Sequence, residues 1–163
     1  MKQKIIVIDN FLDSPLDYKK SKQYLTEEIS YKLKHILLSD VNITSVESNN
    51  PPTEITANFA VDYIAMIYLD LPTECVDKKG IGFWLHKETQ DEEIPNYTKM
   101  KWMGLKTPEE VESSYDVSNK NLWDKYMEYF VKYNRLILFD ANLFHSYGDE
   151  CDCRKFFIRI NNQ

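Results

Sequence analysis

Apolar residues along this chain come in short blocks, and the spacing inside the blocks changes from helical to strand-like near residue 50. KIIVID (Lys4 to Asp9) is a β-branched run and predicts a first strand. Ser14-Pro15 then reads as an N-cap and first helical residue, predicting a helix toward Leu25. Thr26-Glu27-Glu28 can cap a second helix with Ile29, Leu33, Ile36 and Leu37 on one face. The chain turns between Asn49 and Pro52, and apolar blocks of strand length follow: TEITANF, YIAMIYLD (Tyr63 to Asp70) and GIGFWLHK (Gly80 to Lys87). LPTECVDKKG between the last two predicts a hairpin loop. Residues 89 to 106 are charged and irregular, and Thr107-Pro108-Glu109-Glu110 is a capping-box start for a short helix. Leu122, Tyr126, Tyr129 and Phe130 repeat at helical spacing in NLWDKYMEYFVKY. RLILFDA and KFFIRIN predict the closing strands. Helices first and strands afterwards, with no repeat or linker, predict one domain over 1–163. Its fold class is mainly β (α+β): a double-stranded β-helix, or jelly roll, with N-terminal helices packed on one sheet.

Composition narrows the function classes. With 163 residues, 43% of them hydrophobic, the chain can build one sizeable core. The net charge of −6, with no long Lys/Arg run, argues against nucleic acid and anionic membranes as partners. No apolar stretch reaches the roughly 20 residues of a membrane span. Three cysteines and no secretory signal predict reduced thiols and a cytoplasmic location. The Asn42-Ile43-Thr44 and Asn96-Tyr97-Thr98 sequons are then chance matches. No Ser-His-Asp order or Gly-rich nucleophile turn points to a hydrolase. Trp84, Trp102 and Trp123 read as core or lid packing, since no basic groove surrounds them.

The ordered set IIVIDNFLDSP, YIAMIYLD, GIGFWLHK, YNRLILFDANLFHS and RKFFI resembles the Fe(II)/2-oxoglutarate-dependent oxygenase superfamily, and within it an uncharacterised branch known only as a domain of unknown function. The similarity spans nearly the whole chain. Such oxygenases hold iron with H-x-D/E on an early strand and a second His on a late one. Two imidazoles and a carboxylate take one face of Fe(II) and leave room for 2-oxoglutarate and O2. An Arg or Lys about ten residues past the distal His binds the far carboxylate of the cosubstrate. The resemblance implies that His145 is the distal His and that Arg154, nine residues on, is the anchor, with Arg159 as a second cation on the opposite strand face. The early motif falls on Thr56-Ala57-Asn58, so a hydroxyl and an amide stand where a His and a carboxylate are expected. Both are poor Fe(II) ligands.

Two constellations offer a rebuilt site. His86-Lys87-Glu88 is itself an H-x-E with strand spacing, and with His145 it makes a two-His, one-carboxylate set; its plainer reading is a strand-end histidine beside exposed charges. His145, Cys151, Cys153 and Cys75 together suggest zinc, though Cys-x-Cys is an unusual ligand spacing and free thiols in a loop are the simpler reading. Two functions therefore stand side by side. One is a hydroxylase using Fe(II) and 2-oxoglutarate on a small-molecule or protein substrate, with His145, Arg154 and either His86/Glu88 or Asn58 as its residues. The other is a catalytically inactive jelly roll that has lost the metal and serves as a binding or interaction module.

Overall fold

The computed structural model describes residues 4–15, 22–50, 53–58, 60–94, 104 and 107–160. Among the described residues, eight strands form two antiparallel sheets. The large sheet has the order β1-β6-β3-β8-β2, from β1 (Ile5–Ile8), β2 (Val41–Asn50), β3 (Tyr63–Tyr68), β6 (Leu136–Asp140) and β8 (Cys151–Ile160). The small sheet has the order β5-β4-β7, from β4 (Lys79–His86), β5 (Trp123–Phe130) and β7 (His145–Ser146). Two facing antiparallel sheets of this kind, with a helix on the outside, are the jelly-roll architecture.

The apolar blocks explain the layering. YIAMIY of β3 is buried at every position because each face of that strand has a cover. Tyr63, Ala65 and Ile67 face α1 (Lys22–Leu37), whose Ile29 and Leu33 are fully buried against them and against Leu136, Leu138, Phe156 and Ile158. Ile64, Met66 and Tyr68 point the other way, toward Ile81 and Phe83 of β4, with Ile137, Phe139, Cys151 and Cys153. A third cluster, Trp84, Tyr115, Trp123 and Phe144, packs α2 (Pro108–Tyr115) onto the far end of the small sheet. The capping box forms as the sequence predicts: Thr107 Oγ1 accepts from the Glu110 amide at 3.1 Å, and Glu110 reaches back to the Thr107 amide at 3.3 Å.

Four elements differ from the sequence reading, the first being TEITANF: its described residues 53–58 form no strand, and Thr56 makes only an isolated bridge to His145. α1 begins by Lys22, so Thr26 lies inside a helix rather than capping one; the helix predicted from Ser14 falls largely outside the described residues. WDKYMEYF is the edge strand β5, not a helix: its Tyr126 and Phe130 are 41% and 55% exposed, so they mark no buried helical stripe. The polar segment VNITSVESNN, given no strand, is β2, whose backbone pairs with β8 at eight positions, interrupted by two register shifts, at the edge of the large sheet. Most of the 89–106 insertion, including Trp102, also lies outside the described residues.

Asn134 ties the N-terminal end of the sheet to the β5–β6 turn. It is 5% exposed, sits at φ 59°, donates Nδ2 to the Leu12 carbonyl at 2.9 Å and accepts the Leu12 amide on Oδ1 at 2.8 Å. Asn134→Ala removes both partners of buried backbone groups and leaves a left-handed alanine. A loss of about 2 kcal/mol is expected, read as a lower denaturation midpoint with an unchanged slope.

Candidate functional site

His145 stands on the inner face of the barrel, the face of the large and small sheets turned toward each other. Its ring packs edge-on against Phe139 at 4.9 Å and Tyr147 at 5.2 Å, and it is 1% exposed. Burial pushes its pKa down to about 4, with a further push from the Lys155 ammonium, so the imidazole is neutral near pH 7. Nδ1 lies 2.7 Å from the Leu143 carbonyl, which can only accept, so Nδ1 carries the proton. Nε2 is then the acceptor, and the Tyr147 hydroxyl, 3.1 Å away, donates to it.

Thr56 is directly opposite. Thr56 and His145 exchange both backbone hydrogen bonds, at 2.8 and 2.9 Å, which makes them a facing antiparallel pair with side chains on one side of the sheet. A histidine at 56 would therefore look at the same space as His145; this chain places a hydroxyl there. Asn58, two residues on, turns its Oδ1 to the Ala60 amide at 2.7 Å, spending its acceptor on the local backbone. Thr56 and Asn58 thus carry a hydroxyl and an amide where the resemblance implies a His and a carboxylate.

The alternative ligands are not brought in. His86 lies in the third cluster, edge-on to Tyr115 and Trp123, with Nδ1 accepting from the Thr89 amide at 3.3 Å. Glu88 is exposed in the turn beyond it. Cys151 and Cys153 are buried beside Tyr68 in the inner core, and their mutual hydrogen bond together with burial pushes the Cys151 thiol well above its ordinary range. Cys75 lies in the β3–β4 loop with its thiol toward the Pro72 carbonyl. Among the described residues no three His, Cys, Asp or Glu side chains gather into a group able to hold a metal ion. The residues present do not fit a two-His, one-carboxylate iron centre or a tetrahedral zinc site.

The cation beyond His145 is displaced by one residue from the sequence reading. β8 pairs with β3 so that Cys151, Cys153 and Phe157 face the barrel interior, and Phe156 and Ile158 face α1. Arg154 shares the outer parity. Its Nη1 bonds Asp152 at 2.9 Å and the Cys153 carbonyl at 3.0 Å, and it lines an open cleft of about 470 Å³ with Asp70, Glu74, Lys78, Glu150 and Asp152. Lys155 points inward instead. It is 7% exposed, its Nζ lies 3.8 Å from the Tyr147 ring centroid, and Glu47 of β2 pairs with it at 3.1 Å. Arg159 is exposed and donates to the Ala60 carbonyl at 2.8 Å. Lys155 and Tyr147 are the residues that the sequence reading missed. The signal for Lys155 was its ten-residue spacing from His145; for Tyr147 it was the position two beyond His145.

Comparison with solved structures gives HygX from Streptomyces hygroscopicus, with iron bound, at 9% identity and a TM-score of 0.44, covering 96% of this chain and 82% of that one. HygX with nickel and 2-oxoglutarate bound gives 9% identity and 0.42 over the same shares. No curated protein matches. Residues 60–148, more than half of the chain and the span from just past the early motif to just past His145, match the sequence family described as "Family of unknown function (DUF6445)". The chain that carries this His145–Tyr147–Lys155 interior is a member of the DUF6445 family.

Proposed function

We propose that this protein is a metal-free relative of the 2-oxoglutarate oxygenases that uses the jelly roll as a binding module. One observation carries the reading: His145 faces Thr56 across a hydrogen-bonded pair, so the two positions that would share a metal hold one imidazole and one alcohol. The charge balance points the same way. A divalent ion in a low-dielectric interior needs an anionic ligand, and the carboxylate near Tyr147, that of Glu47, is already paired with the Lys155 ammonium at 3.1 Å.

A second reading, an Fe(II)/2-oxoglutarate hydroxylase, is favoured by two features, the first being Lys155, which turns inward ten residues past His145, at the spacing of a cosubstrate anchor. The Nδ1–H of His145 is held by a backbone carbonyl, the arrangement that metal-binding histidines use to aim Nε2. Anaerobic loading with Fe(II), followed by metal analysis, separates the two. The binding-module reading expects no stoichiometric iron in the wild type and no thermal shift with 2-oxoglutarate. Near-stoichiometric iron that disappears in His145→Ala would overturn it in favour of the hydroxylase.

A further inference from the structure

We propose that Tyr147 occupies the place of the metal, capping Nε2 of His145 with its hydroxyl and weakening the hold on a divalent ion even when the missing ligands are restored. This rests on the metal-free reading and specifies how the interior is kept metal-free. Neutral His145 has one lone pair, on Nε2, because its other nitrogen donates to Leu143. That lone pair is what a metal would take, and the Tyr147 hydroxyl already has it at 3.1 Å.

Tyr147 is held in place from several sides. Its amide donates to Thr53 Oγ1 at 2.8 Å, and its carbonyl accepts the Thr53 amide at 3.1 Å. The next residue, Gly148, is pressed against the carbonyls of Lys79 and Gly80, so the backbone at 147 has little freedom to swing the ring aside. The Lys155 ammonium lies 3.8 Å from the ring centroid on the same interior side, drawn by the ring's electron-rich face. A metal entering here must displace the phenol from Nε2, a step that opposes it independently of the ligands at 56 and 58.

The test compares Co(II) uptake, read by visible absorption, in the wild type, in Thr56→His/Asn58→Asp, and in the same double variant with Tyr147→Phe. The expected order is no uptake in the wild type, weak uptake in the double variant, and affinity roughly tenfold or more higher once Tyr147→Phe is added. Equal affinity of double and triple variants overturns the cap while leaving the metal-free reading intact. No uptake by a cooperatively melting triple variant also overturns it. Wild-type uptake lost in His145→Ala overturns both. A further measurement keeps the proposal falsifiable if the multiple variants do not fold. In Tyr147→Phe alone, the ¹⁵N resonance of His145 Nε2 should shift toward that of an uncapped acceptor, and an unmoved resonance rules the cap out.

Discussion

Acidification from pH 7 to pH 4 is expected to cost the folded state roughly 3 kcal/mol through His145 alone. In the unfolded chain this histidine takes a proton near its ordinary pKa of 6.5; in the fold, burial holds it to about 4. Between those values the unfolded state binds a proton that the folded state refuses, so stability falls as pH drops. Above about 6.5 both states are neutral and the contribution is complete; below about 4 both are protonated and the slope flattens. Protonation in the fold would put an N–H on Nε2 and force the Tyr147 hydroxyl to turn from donor to acceptor. Denaturant midpoints measured through this window should fall steeply for the wild type and far less for His145→Gln, which has no titrating ring. Equal slopes would mean that His145 is not the buried neutral group described. Asp9 marks a different window. Hydrogen bonding to Arg135 holds its carboxyl at about 2, so that contribution disappears only below its ordinary 3.8.

Gly148→Ala should destabilise the protein by about 3 kcal/mol, an overpacking cost at the upper end of the usual range. A methyl group at 148 would lie 2.3 Å from the carbonyl oxygens of both Lys79 and Gly80. Those oxygens belong to strand backbone, so no side chain can move aside to relieve the clash. The neighbouring bonds tighten the constraint: the Asp149 amide donates to the Lys79 carbonyl at 2.7 Å, and Asp149 Oδ2 accepts the Lys79 amide at 2.8 Å. The alanine must pry the segment after β7 from β4, which also loosens Tyr147. Gly82→Ala is the matched control. Its new methyl meets first the flexible side chain of Lys125, at 3.3 Å, and a cost below about 1 kcal/mol is expected. Thermal melts of the two variants side by side check the contrast. A Gly148→Ala protein as stable as Gly82→Ala would show that the β4 contact is softer than its geometry implies.

Much of the fold is written in the apolar blocks. YIAMIY and LILF are unbroken because sheet and helix cover both of their faces, and that pattern is legible without coordinates. The edge strands are less legible. β2 is polar because it closes the large sheet beside solvent, and β5 carries exposed aromatics whose spacing mimics a helix. Edge strands are held by backbone pairing, which leaves little trace in side-chain chemistry.

The candidate site divides in the same way. His145 and the unfilled positions Thr56 and Asn58 can be read from residue type and order, and Thr56 does face His145 across the barrel wall. Which cation turns inward could not be read. Arg154 and Lys155 are adjacent, both lie near the expected spacing, and the choice between them depends on strand register, where a shift of one residue exchanges the two faces. Pairing of β8 with β3 settles it, sending Lys155 to the interior and Arg154 to the outer cleft. Tyr147 on Nε2 of His145 is likewise a matter of a few ångströms between side chains. Sequence determined which residue types stand at 56, 58 and 145; tertiary structure decided which groups surround His145, because contacts between side chains depend on register and packing that no linear pattern encodes.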